Sequence, residues 1–135
     1  MALAALLTWL VTAVLGFTML GMWLAGGGLG AAQESGVTPT RLVPPLIFGH
    51  FLLAASGLVV WIVYLIVDEH ALTWVAFGLL VLVATLGDVM FLRWRRSRTA
   101  ATPEARFPLP LVYGHGLFAV TTVVLVLLTA LGVGE

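Results

Sequence analysis

Four uninterrupted apolar stretches, roughly Leu3 to Ala25, Pro44 to Val67, Ala71 to Leu92 and Pro108 to Gly132, leave this chain few ways to fold. Each runs to about 20 residues or more, which at about 1.5 Å of helical rise per residue crosses a hydrocarbon core of roughly 30 Å. The runs are continuous rather than alternating, so they read as helices. An open sheet in lipid would leave backbone N–H and C=O groups unsatisfied. With 61% hydrophobic and only 9% charged residues, little polar surface remains for a soluble domain. The expected fold is all-α: an integral membrane four-helix bundle, with residues 1–135 forming one transmembrane domain.

The connections between spans set the expected orientation. Arg93, Arg95, Arg96, Arg98 and Arg106 follow the third span against one acid, Glu104, and the first connection carries Arg41 and Glu34. Asp68-Glu69-His70, between the second and third spans, has no cation. The positive-inside bias then places the first and third connections in the cytoplasm and both termini outside the plasma (inner) membrane. Trp9, Trp61, Tyr64 and Trp74 fall where an outer aromatic belt is expected, and Trp23 and Trp94 where an inner one is. Gly26-Gly27-Gly28-Leu29-Gly30 reads as the end of the first helix and the start of a flexible loop. The first span lacks a basic leader, is too long for a signal peptide and resembles a later helix, so it is expected to stay in the protein. The chain has no Cys, which excludes disulfides, thiolate metal sites and cysteine nucleophiles. It carries no nucleic-acid signature.

The most informative pattern is internal. Sliding the sequence along itself until Pro45 lies on Pro110 brings Pro45-Leu46-Ile47-Phe48-Gly49-His50 onto Pro110-Leu111-Val112-Tyr113-Gly114-His115. From there to Ser56 and Thr121, half the positions are identical. The same shift puts Leu7-Thr8-Trp9 on Leu72-Thr73-Trp74 and Arg41 on Arg106. Leu and Val match cheaply in apolar helices, but Pro, Gly, His, Trp and Arg coinciding at one shift points to a duplication. Repeat 1 covers about 3–67 and repeat 2 about 68–132. Each repeat crosses the membrane twice, so the two are parallel and their pseudo-two-fold axis runs along the membrane normal.

That symmetry can aim His50 and His115 at the bundle axis from opposite sides, at matching depth. Ionisable groups at membrane depth are costly and usually face the interior. One histidine alone reads most simply as an interhelical hydrogen bonder. A symmetric pair points to axial ligation of one haem b, an imidazole on each face, between the second and fourth spans. Ala54 and Gly57 follow His50 at helical spacing, and Ala119 and Thr122 follow His115, giving small neighbours for a macrocycle. Arg41 and Arg106 each precede a histidine on the cytoplasmic side and could meet the propionates, although plain positive-inside anchoring explains them equally well. Two ligands limit the chain to one haem and close both axial positions. No catalytic arrangement is visible.

Three other features carry weaker readings. Asp88 could bond a ligand's second ring nitrogen, but an interfacial ion pair with Arg93 or its neighbours is the simpler account. Met19, Met22 and Met90 could join the histidines in a soft copper site, though methionine is an ordinary filler of apolar cores. Asp68-Glu69-His70 reads as a solvated turn rather than a metal cluster. Gly16, Gly21, Gly78 and Gly87 are expected to allow close helix approach, and Thr8 and Thr73 to make local hydrogen bonds.

His115-Gly116-Leu117-Phe118-Ala119, with Gly49-His50-Phe51-Leu52-Leu53-Ala54, resembles a group of small four-span membrane proteins common in actinobacterial genomes. The resemblance runs over essentially the whole chain; it implies the four-span fold and brings no activity with it. In plan the chain is also similar to bis-His b-type cytochrome bundles, a likeness of architecture that does not establish function. The expected partners are the lipid bilayer, a redox partner or larger membrane complex, and a second copy in a homodimer. The competing expectations are a colourless accessory subunit of such a complex and a small copper carrier.

Overall fold

The computed structural model describes residues 1–31 and 40–133, and Glu34, counted above in the charge of the first connection, lies outside them. Four long helices make up the molecule: α1 (Ala2–Ala25), α3 (Pro44–Val67), α4 (Ala71–Ser97) and α5 (Leu109–Ala130), with a short α2 (Gly28–Ala31) after the first. No strand occurs among the described residues. Each long helix is apolar and long enough to cross a membrane.

The helix boundaries follow from local chemistry. α3 opens on Pro44-Pro45 after an extended Val43, and α5 has a proline in its first turn after an extended Pro108. Proline suits the first turn because its fixed φ is helical and its missing N–H would have had no partner there. α3 stops at Asp68, whose φ of 54° is left-handed and whose N–H bonds to Tyr64 O at 2.8 Å. α4 begins three residues later, so α3 and α4 form a tight hairpin. α4 outruns its apolar stretch and ends at Ser97 rather than Leu92. Arginine is a good helix former, and hydropathy marks where lipid could end, not where the helix must.

The glycine-rich stretch after α1 is more ordered than a flexible loop. The chain reverses at Gly27, φ +82°, and winds into α2. A Cβ at Gly28 would overlap the indole of Trp23, so this turn folds back onto the ring because residue 28 has no side chain.

In the bundle, α1 packs along α5 and α3 along α4; α4 also meets α5, and α1 touches α3 more lightly. The helices therefore run α1–α5–α4–α3 around the bundle axis, and α3 stands across from α5. Two buried clusters close the ends. Ala5, Trp9, Trp61, Tyr64, Ala76, Leu80 and Val126 fill the end that holds the N-terminus. Trp23, Leu42, Ile47, Trp94 and Phe107 fill the arginine-bearing end. The outer surface, by contrast, exposes large apolar side chains such as Leu3, Phe17, Leu52, Ile66 and Leu117.

This corrects the expected aromatic belts. Of the six residues assigned to them, only Trp74 is exposed; Trp9, Trp23, Trp61, Tyr64 and Trp94 are all buried. The bundle has few large side chains available for its interior, and indoles fill the ends, where Trp61 Nε1 donates to Ala2 O at 3.2 Å and Trp23 Nε1 to Thr40 Oγ1 at 3.2 Å.

Gly57 belongs to this packing. A Cβ there would lie 3.0 Å from Cζ2 of Trp9, which is itself buried. Gly57→Val is expected to destabilise the bundle by about 1–3 kcal/mol through overpacking. A denaturation midpoint in detergent unchanged from the parent protein would show that the indole has room to move.

Candidate functional site

Between the two aromatic ends lies a layer of small residues and two imidazoles. His50 on α3 and His115 on α5 face each other across the bundle, with ring centroids 6.3 Å apart and planes inclined by 54°. Both are half-buried.

Each ring is anchored in the same manner by the long helix packed beside its own. His50 Nδ1 lies 3.1 Å from Val83 O on α4, and His115 Nδ1 lies 2.9 Å from Thr12 O on α1. A carbonyl can only accept, so both Nδ1 atoms carry the proton. In the neutral ring each Nε2 then presents a lone pair. Neither Nε2 makes a hydrogen bond among the described residues.

Reaching a carbonyl inside a helix requires the ring to lie over the residue one turn on. That residue is Gly87 for His50 and Gly16 for His115. A Cβ at Gly16 would stand 3.1 Å from His115 Cε1, and one at Gly87 would stand 3.4 Å from His50 Cε1. Gly16 therefore admits its imidazole at a distance a side chain would crowd, a narrower role than general helix approach, whereas a Cβ at Gly87 would make ordinary contact with its ring. Gly21 and Gly78 lie on the same two helices, but a Cβ at either would meet nothing within 4 Å.

Thr12 and Gly16 thus hold the place on α1 that Val83 and Gly87 hold on α4. The shift that brings Gly16 onto Gly87 also brings Ala5 onto Ala76, Met19 onto Met90 and Trp23 onto Trp94. Ala5 and Ala76 are both fully buried, as are Trp23 and Trp94 to within a few per cent. This differs from the shift that aligns the histidines, because the connection after α1 is longer than the one after α4. Trp9 and Trp74, paired on sequence, accordingly sit in unlike surroundings, one buried and the other exposed. The residue of α1 that matches Asp88 is Phe17 rather than Trp23.

The remaining sequence candidates fall in different places. Ala54 and Ala119 are half-buried, one turn beyond the histidines. Gly57 lies against Trp9 and Leu79. Thr122 is buried, with its hydroxyl 2.8 Å from Phe118 O and 2.9 Å from Thr8 Oγ1, in the contact of α5 with α1. Arg41 and Arg106 are exposed on the connections. Asp88 is exposed and makes no ion pair with a described residue, which removes the expected pairing with Arg93. Met19, Met22 and Met90 pack against the Trp23–Trp94 cluster. Among the described residues no three His, Cys, Asp or Glu side chains gather to hold a metal ion. Nor does Asp88 bond the second ring nitrogen of either histidine, since both Nδ1 atoms meet main-chain carbonyls. The absence of such a group among the described residues also fits the turn reading of Asp68-Glu69-His70, where Glu69 Oε1 accepts from Ala71 N–H and His70 Nε2 is 3.1 Å from Ala130 O.

Sequence reasoning missed Glu104. It lies in a 3-10 turn, Pro103–Arg106, and is fully buried. Its Oε2 accepts from Thr40 Oγ1 at 2.8 Å and its Oε1 from the Arg41 N–H at 2.8 Å. Thr40 Oγ1 in turn accepts from Trp23 Nε1 and from Leu42 N–H, both at 3.2 Å. The carboxylate thereby ties the connection before α5 to the one before α3. Trp94 lacks this arrangement, and its Nε1 is buried with no hydrogen-bond partner among the described residues. The shift that aligns the histidines puts Ala105 on Thr40, and alanine has no hydroxyl to offer.

Compared with protein-family models, with characterised proteins and with solved structures, the chain matches none.

Proposed function

We propose that this chain is an integral membrane haem-b protein that holds one bis-histidine haem between α3 and α5. In this reading a tandem duplication of a two-helix unit produced the bundle, the arginine-bearing connections face the cytoplasm, and both termini lie outside. The observation that carries it is the opposed pair of imidazoles with centroids 6.3 Å apart. Two imidazoles sharing one metal ion, each bond about 2 Å long, put their ring centres roughly 6 to 6.5 Å apart when trans. The anchoring of each Nδ1 on a main-chain carbonyl is the usual support for a ligating histidine, since it fixes the tautomer and the ring direction.

The donor set favours haem over a bare zinc ion. Zinc sites ask for three or four protein donors, whereas a haem brings four nitrogens and needs only two more. His50 and His115 would supply those two, and Gly16 keeps α1 from crowding the ring of His115. The bound haem would supply one-electron exchange. The protein's part would be to hold both imidazoles in place from rigid helices. Lying toward the arginine-bearing end, one such centre would serve a partner on that side of the membrane in electron transfer or haem handling.

The test is the absorption spectrum of the detergent-purified chain from haem-replete cells, oxidised and then reduced. A low-spin b-type spectrum at about one haem per chain is the expected result. A colourless protein that takes up no added haemin would end this reading in favour of an accessory subunit.

A further inference from the structure

At the arginine-bearing end a cavity of about 270 Å³ opens between the segment leading into α3 and the last turns of α4, lined by Thr40, Arg41, Val43, Arg93 and Arg96. Arg93 and Arg96 are three apart and so share a helix face. Arg93 Nη1 donates to Arg41 O at 3.2 Å and holds the two walls together. None of the three guanidinium groups is in an ion pair with a described residue. Glu104, on the connection before α5, is buried and directs both oxygens inward, to Thr40 and to the Arg41 N–H. Of the other three arginines of this end, two lie over rings, Arg95 over Phe91 at 5.9 Å and Arg98 over Trp94 at 5.7 Å, and Arg106 is exposed on the connection before α5.

Three guanidiniums around one space, none paired with a described carboxylate, call for an oxyanion, and arginine is suited to phosphate. The rim identifies the kind. Val43 lines the cavity, and exposed Val89 and Leu92 run along α4 up to Arg93. A ligand with a charged head and an apolar tail meets both surfaces. We propose that this cavity binds the phosphate diester of an anionic phospholipid, with Arg41, Arg93 and Arg96 around the head group and the acyl chain along α4. The inference rests on the membrane reading above and is independent of the haem.

The experiment reconstitutes the full chain in nanodiscs of phosphatidylcholine with and without phosphatidylglycerol and measures retained lipid by native mass spectrometry. Phosphatidylglycerol is expected to be retained over phosphatidylcholine. Arg93→Gln with Arg96→Gln is expected to weaken that retention roughly 25-fold, at about five-fold per arginine. Arg95→Gln with Arg98→Gln removes the same charge outside the cavity and is expected to weaken it distinctly less, because those two guanidiniums lie over Phe91 and Trp94. Equal losses in the two pairs, or no preference in the parent protein, would overturn the site. Arg96→Gln alone gives up no hydrogen bond with a described residue and serves if the pair misfolds, with a roughly five-fold loss expected. Stabilisation by inorganic phosphate in phosphatidylcholine discs, without any preference for phosphatidylglycerol, would make the ligand a soluble phosphate and overturn the lipid assignment. Extraction of the chain from vesicles by alkaline carbonate reports failure of the membrane reading separately.

Discussion

Alanine at His115, or at His50, is expected to remove nearly all haem from the purified protein and to abolish any low-spin spectrum. A bis-histidine site depends on both ligands. Half a ligand set leaves an open axial position, a high-spin iron and a macrocycle free to dissociate. The fold should survive, because both rings lie in the layer between the two aromatic clusters rather than within either. Haem-to-protein ratio and helical circular dichroism, measured on the same sample, separate the two effects. Equal haem content in the parent and both alanine variants would place any bound haem elsewhere. A subtler variant probes the anchor. Gly16→Val puts a branched side chain where even a Cβ would stand 3.1 Å from His115 Cε1, displacing the ring from Thr12 O. Loss of such support around a ligand typically weakens metal binding roughly 10- to 100-fold. Haem retention in Gly16→Val is expected to fall within that span, with both histidines still present.

Glu104→Leu is expected to cost the bundle about 2–4 kcal/mol of stability. The carboxylate accepts two hydrogen bonds inside the protein, each to a charged acceptor and each worth about 1.5–3 kcal/mol, less the cost of keeping that charge from water. Leucine removes the acceptor and leaves the Arg41 N–H without its partner. Glu104→Gln keeps one carbonyl oxygen at the same reach and is expected to lose about half as much. Denaturation midpoints in one detergent give both differences. A leucine variant as stable as the parent would mean that desolvation of the carboxylate outweighs its two bonds.

Much of the fold was legible because the length and continuity of an apolar run are local properties. The bounds of α3, Pro44–Val67, agree with the sequence reading at both ends, since prolines open it and a polar turn closes it. The histidine pair was legible because the segment from Pro45 recurs from Pro110 with its rare residues in place. The supports of that pair were not. Gly16 acquires its role from a ring on another helix, and one alignment shift could not reveal both the histidines and the match of Gly16 with Gly87. Trp9, Trp23, Trp61 and Trp94 were misplaced for a related reason. Nearness to a helix end is visible in the sequence, whereas which face of the helix a residue occupies is weakly encoded when every face is apolar. Glu104 gave no signal at all. A lone acid among arginines looks solvated until the chain folds a second connection over it.

The pairing of α1 with α5 has a consequence for biosynthesis. α1 is synthesised before α3 and α4 yet finds its main neighbour only when α5 emerges, and until then Thr12 O has no imidazole to meet. Assembly of the histidine layer is therefore held back until α5 has been made. A chain truncated before α5 would leave an unclasped three-helix remnant for quality-control proteases to recognise.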